Sequence, residues 1–196
     1  MKKLMMIAAM MLMSVGAFAQ YAGEMYIKPM VGATFSTITD SDNSKFKFGL
    51  VGGAEFGYNV ADAFAVTAGA LYSMQGTGAK DSDARKDAST TLTYINVPIL
   101  ANYYIIPGLA VKAGVQPGFL VSAKTKYTAN NHDHEFTGTD GYKKVDISIP
   151  LGVSYEFSDF VIDARYNFGL TKILDVDAGS SKNSVIMLTV GYKIPL

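Results

Sequence analysis

Between residues 145 and 170 the chain alternates apolar and polar positions. Val145, Ile147, Ile149, Leu151, Val153, Tyr155 and Phe157 form one set; Asp146, Ser148, Pro150, Gly152, Ser154 and Glu156 form the other. After Ser158-Asp159 the alternation resumes, with Phe160, Ile162, Ala164, Tyr166, Phe168 and Leu170 set against Val161, Asp163, Arg165, Asn167 and Gly169. Successive side chains of a strand point to opposite faces, so the segment predicts a hairpin with one wholly apolar face. The other face mixes small and charged residues and cannot form a dry core. An apolar face turned out and a polar face turned in is the pattern of a membrane β-barrel strand.

The same period recurs at 25–36, 46–59, 64–75, 92–105, 109–122 and 184–194. Each run supplies the roughly 9–11 residues that a tilted membrane strand needs. Short connections at 60–62, 106–108 and 158–159 alternate with long polar ones at 37–45, 76–91, 123–144 and 171–183. Outer-membrane barrels have short periplasmic turns and longer external loops. The expected fold is therefore all-β: an eight-stranded, antiparallel, up-and-down transmembrane β-barrel with both termini periplasmic. A soluble lipocalin-like barrel would turn the apolar set inward, and most of the Tyr and Phe would then overfill eight strands. Pro29, Pro98, Pro117 and Pro150 fall inside these strands. Each removes a ladder hydrogen bond, so bulges are expected near some of them.

Charge sharpens this reading. The charged residues within the strands are Lys28, Lys47, Glu55, Lys112, Asp146, Glu156, Asp163, Arg165 and Lys193, all on the face opposite the apolar set. Facing lipid at the midplane, each would cost about 2–4 kcal/mol. Facing the lumen, five basic and four acidic groups can pair internally, so that none is buried alone. Gly32, Gly49, Gly53, Gly57, Gly69, Gly114, Gly118, Gly152, Gly169 and Gly191 share that face. They make room for Met30, Tyr94, Tyr104, Leu120, Arg165 and Met187, which predicts a side-chain-filled lumen rather than a general pore.

The first residues read differently. Lys2-Lys3, the apolar run 4–13 and Ala17-Phe18-Ala19 form a charged region, a hydrophobic region and a cleavage site. Residues 1–19 are thus expected to be a secretory signal peptide and 20–196 the barrel domain. There are 17 basic and 17 acidic residues, a balance that gives no footprint for nucleic acid. With no cysteine, disulfides, thiolate metal sites and a cysteine nucleophile are excluded.

Candidate chemistry is sparse. His132 and His134, the two histidines, stand in Asn131-His132-Asp133-His134-Glu135, a weak metal-ligand pattern in a polar external loop with no third histidine elsewhere. Asp40-Ser41-Asp42-Asn43-Ser44 begins like a calcium loop but has Lys45 and Val51 where Gly and Glu are required. Asp81, Asp83, Arg85, Lys86, Asp87, Asp175 and Asp177 read as solvated charge. No G-x-S-x-G or H-E-x-x-H is present, so no catalytic residue, metal or cofactor is assigned, and the protein is not expected to be an enzyme.

Two hairpins carry the same phrase. Ile95, Pro98 and Tyr103 recur as Ile147, Pro150 and Tyr155. With these Ile-Pro-Leu strands, the segment Ala164-Arg165-Tyr166-Asn167-Phe168-Gly169-Leu170-Thr171 and the closing Gly191-Tyr192-Lys193, the chain resembles the PorT-like outer-membrane β-barrel family of Bacteroidetes, over about residues 26–196. The resemblance implies the cell outer membrane as location and a Gram-negative source. The family's namesake takes part in protein secretion, but no residue here transfers as a functional one. The function expected is a structural or interaction role through the four external loops. An accessory role in secretion, a lipid-modifying barrel enzyme and a narrow channel are the alternatives. The partners expected are the outer-membrane bilayer and an extracellular ligand or secretion-machinery protein, with the barrel a monomer.

Overall fold

A computed structural model of the chain describes residues 22–39, 44–79, 86–129, 132–139, 141–173 and 182–196. The expected signal peptide, Asp40 to Asn43, Asp81, Asp83, Arg85, Asn131, Asp175 and Asp177 lie outside them.

The described residues form a closed antiparallel ring. In chain order its strands are β1 (Met25–Ile38), β3 (Lys47–Ala61), β4 (Phe64–Ala79), β5 (Lys86–Asn96) continued by β6 (Ile99–Ile106), β7 (Leu109–Ala129), β9 (Val145–Phe157), β10 (Phe160–Gly169) and β11 (Asn183–Tyr192) continued by β12 (Ile194–Pro195). Counting β5 with β6 and β11 with β12, these are eight staves. β1 closes the ring against β11, from Met30 opposite Gly191 to Ile38 opposite Asn183. Closure matters because lipid offers no hydrogen bonds to an open edge. Two pieces stand outside the ring: β2 (Ser44–Lys45), paired with β4, and β8 (His132–Thr137), paired with β7.

The three short turns, at 62–63, 107–108 and 158–159, lie at one end. Gly108 adopts φ +83, and a Cβ there would lie 2.7 Å from the Glu156 carbonyl oxygen, so this turn needs glycine. Both ends of the described ring meet the same rim: the Gly23 N–H donates to the Asn59 carbonyl at 2.7 Å and the Leu196 N–H to the Met25 carbonyl at 2.9 Å.

Alternation decides which face is which. Val31, Leu50, Val115, Leu151 and Ile162 point away from the axis and stay exposed, while their neighbours Met30, Val51 and Val161 are buried. Aromatic pairs cross between adjacent staves near each rim, Phe160 with Tyr192 at 5.2 Å and Phe35 with Phe48 at 5.6 Å, both edge-on. Rings at these levels suit a membrane interface.

Two expectations about segments are corrected, while a bulge does occur near one of the prolines. The fourth stave is not one continuous strand from 92 to 105: it starts at Lys86 and breaks at Val97-Pro98. Proline cannot complete the ladder there, and across the break the Val97 N–H finds the Pro117 carbonyl at 2.8 Å. A register shift accompanies the break, between Thr93 and Tyr94, whereas Pro29 and Pro150 sit in unbroken register. Finally, the stretch 123–144 is not a loop throughout: β7 runs on to Ala129 and folds back as β8.

Candidate functional site

The lumen holds the chemistry, and strand period places it there. On β10, Asp163, Arg165 and Asn167 recur every second residue and share the inward face. Arg165 Nε donates to Asp163 Oδ1 at 2.6 Å and Nη2 to Oδ2 at 3.0 Å, a bidentate clamp along one strand. Across the lumen Arg165 Nη1 meets Glu55 Oε1 at 2.6 Å. Glu55 in turn meets Lys28 Nζ at 2.8 Å, the two residues standing opposite each other in register on β3 and β1. Lys112 of β7 completes the cluster on Asp163 Oδ2. These five side chains are at most 4% exposed, so the middle of the barrel is filled by charge that meets charge. Glycines give them space: a Cβ at Gly69 would lie 2.7 Å from Glu55 Cγ, and one at Gly152 would lie 2.9 Å from Arg165 Cγ.

The remaining lumenal charges form separate groups. At the short-turn end Lys193 Nζ is 3.1 Å from Glu156 Oε1 and 3.9 Å from Glu24 Oε2. It also lies 4.6 Å from the centre of the Tyr26 ring. At the loop end Lys47 is only partly buried. Asp146 departs from the expectation that every lumenal charge is paired. It is buried, yet among the described residues its partners are neutral: the Thr171 hydroxyl and Asn183 Nδ2, the latter at 2.8 Å. Its position on β9 puts it above the central cluster, out of reach of Lys28, Lys112 and Arg165.

Two apolar clusters also occupy the lumen. Met30, Val51, Leu71 and Met187 pack together, and beyond them Leu92, Tyr94, Ala123 and Ile173 form a second apolar cluster with Ile38, Leu120 and Tyr142 against it. Ile173 is 2% exposed although it stands in a run that reads as loop, and it is the cap of this upper cluster. Sequence reasoning missed Ile173, Tyr142, Glu24 and Tyr26. The signal for Tyr26 is Gly57, directly opposite it in register, where a Cβ would fall 2.1 Å from Tyr26 Cζ.

Outside the lumen, β4, β5, β7 and β8 raise one side of the wall beyond the rim. Gly78 pairs with Ser89, Lys86 with Thr128, and Ala129 with His132. On β8, Glu135 bridges Lys124 at 2.5 Å and Lys126 at 3.0 Å. Hydrogen bonds from these two ammonium groups hold its carboxyl below the usual carboxylate range. The structure places His132 and His134 on this exposed strand rather than in a loop, with the His134 ring stacked on Tyr127 at 5.2 Å. Among the described residues no group of three or more His, Cys, Asp or Glu is arranged to hold a metal.

No curated protein matches the sequence significantly. Among solved structures, Neisserial surface protein A is similar in fold, with a TM-score of 0.52 at 13% identity, over 87% of this chain and 97% of that one. Ail, the attachment invasion locus protein of Yersinia pestis, gives 0.49 at 19% identity over 88% and 99%. OprG from Pseudomonas aeruginosa gives 0.44 at 16% identity over 90% and 98%. The profile of the outer membrane protein beta-barrel domain matches residues 18–175. A closed eight-stave ring, an apolar exterior and this match lead to one conclusion: the chain belongs to the outer membrane protein β-barrel domain family.

Proposed function

We propose that this small outer-membrane barrel is an interaction protein, working through the wall that it raises beyond its rim. The observation that carries this reading is the contrast between lumen and wall. The lumen holds a buried five-charge cluster and two apolar clusters. The wall presents β8, which pairs on one side with β7 and on the other with no strand among the described residues. A free strand edge is a template for an added strand, and exposed Phe136 beside it offers an apolar contact. In this reading the termini and short turns are periplasmic, residues 1–19 are removed on export, the barrel is monomeric, and β8 meets an extracellular ligand or protein. The His132 and His134 positions favour binding over catalysis, since both are exposed on that external strand. The finer assignment to the PorT-like branch of Bacteroidetes rests on the repeated Ile-Pro-Leu phrase and the Ala164–Thr171 segment.

The test is site-specific photo-crosslinking in cells. A crosslinker at Phe136 should capture one discrete partner, and the same group at lipid-facing Leu151 should capture none. Capture at neither position, with solute flux through the purified barrel, would replace this reading by that of a channel.

A further inference from the structure

Among the described residues Asp146 is buried with neutral partners alone, whereas Glu55, Asp163 and Glu156 each meet a basic side chain. Leaving one charge buried and uncompensated is costly. Beside Asp146 lies a cavity of about 10 Å³, walled by β4, β5, β7, β9, β10 and β11. That is room for one water molecule or one bare ion. Three amide oxygens on its lining, Gln116 Oε1, Asn167 Oδ1 and Asn183 Oδ1, accept no hydrogen bond among the described residues, and Gln116, Asn167 and Asn183 are 2–3% exposed. The orientation of two of them is fixed by what their nitrogens do. Gln116 Nε2 donates to Ser148 Oγ at 3.3 Å and Asn183 Nδ2 donates to Asp146. The donors are engaged and the oxygens are left over.

We propose that this cavity binds one small monovalent cation of the sodium class, held by the Asp146 carboxylate and the amide oxygens of Gln116, Asn167 and Asn183. Oxygen ligands select hard cations, and the carboxylate excludes an anion. A single carboxylate balances a single positive charge. A divalent ion would leave one positive charge unmatched in a buried site. Water could bond the unpartnered amide nitrogens of Asn96 and Asn167 as well as the oxygens, but it would leave the Asp146 charge unmatched.

The experiment is denaturant unfolding of the full barrel in lipid vesicles, with sodium chloride exchanged for choline chloride at constant ionic strength. A ligand of the folded state alone lowers the apparent unfolding constant about tenfold for each tenfold rise in its concentration above saturation. Sodium should produce this fall in the wild type, Asp146→Asn should abolish it, and Gln116→Met, which keeps the charge, should weaken it. If Asp146→Asn does not fold, the Gln116→Met titration and sodium NMR line broadening by the wild type decide the matter. Equal stability in sodium and choline overturns the proposal and leaves the cavity to water. A response to calcium with none to sodium overturns it too.

Discussion

Replacing Glu55 by Gln tests the lumenal cluster most sharply, because it preserves shape and removes one charge. Lys28 is 3% exposed at its side chain, and Glu55, 2.8 Å away, is the carboxylate that it meets. Arg165 keeps its two bonds to Asp163, and Lys112 keeps Asp163 as well. The loss therefore falls on Lys28, whose ammonium is left buried without a counter-charge. Removing one partner of a buried pair costs about 3–5 kcal/mol, or roughly two to four powers of ten in the unfolding constant. Adding Lys28→Met removes the stranded charge, since apolar replacement of a whole buried pair is often close to neutral. Glu55→Gln/Lys28→Met should thus regain at least half of the loss, with a coupling energy of about 2 kcal/mol or more. Reversible urea unfolding in lipid vesicles measures this, followed by far-ultraviolet circular dichroism because the chain has no tryptophan. A cost below about 1 kcal/mol for Glu55→Gln, or simple addition of the two single effects, would refute the assignment of Glu55 as the counter-ion of Lys28.

Other perturbations address the exterior, the packing and the wall. Leu151→Arg places a charge on the lipid face and should cost about 2–4 kcal/mol if that face lies at the midplane; the same unfolding assay reads it, and a neutral result would mean that Leu151 does not face lipid. Gly57→Ala drives a methyl into the Tyr26 ring and should destabilise by about 1–3 kcal/mol, but by little when Tyr26→Ala has first removed the ring. Glu135 has its folded-state pKa lowered by Lys124 and Lys126. Its contribution is therefore present above the ordinary carboxylate pKa and lost as pH falls through the lowered value. Amide protection in β8, taken relative to the intrinsic exchange rate at each pH, should fall over that acidic window, and in Glu135→Gln it should be low throughout and insensitive to it.

The ring was legible in the sequence because lipid enforces period two wherever a strand crosses it. Val145 to Phe157 could hardly be read otherwise. Beyond the rim that constraint lapses. His132, His134 and Glu135 face water on a strand whose polar sequence has no alternation to show, so β8 read as loop. The lumenal charges were legible as a set, but their pairing was not. Whether Glu55 meets Arg165, and whether Asp146 meets anything charged, depends on ring order and height along the axis. Residues 55 and 165 meet across the lumen, while Asp146 stands three inward positions along β9 from Gly152, the residue opposite Arg165. Ile173 was hidden for a different reason: a lone apolar residue between polar ones carries no period, and its burial arises only when the chain folds back over the mouth. Tyr26 was passed over because nothing in its own strand marks it, and the space for its ring comes from Gly57, opposite it in register.

The central claim is that the lumen is obstructed and that function resides outside it. Conductance and solute-swelling measurements on liposomes containing the purified barrel test it most directly. The expected result is no stable conductance and no swelling in small sugars beyond that of protein-free vesicles. A steady, size-selective conductance from the wild-type protein would contradict it.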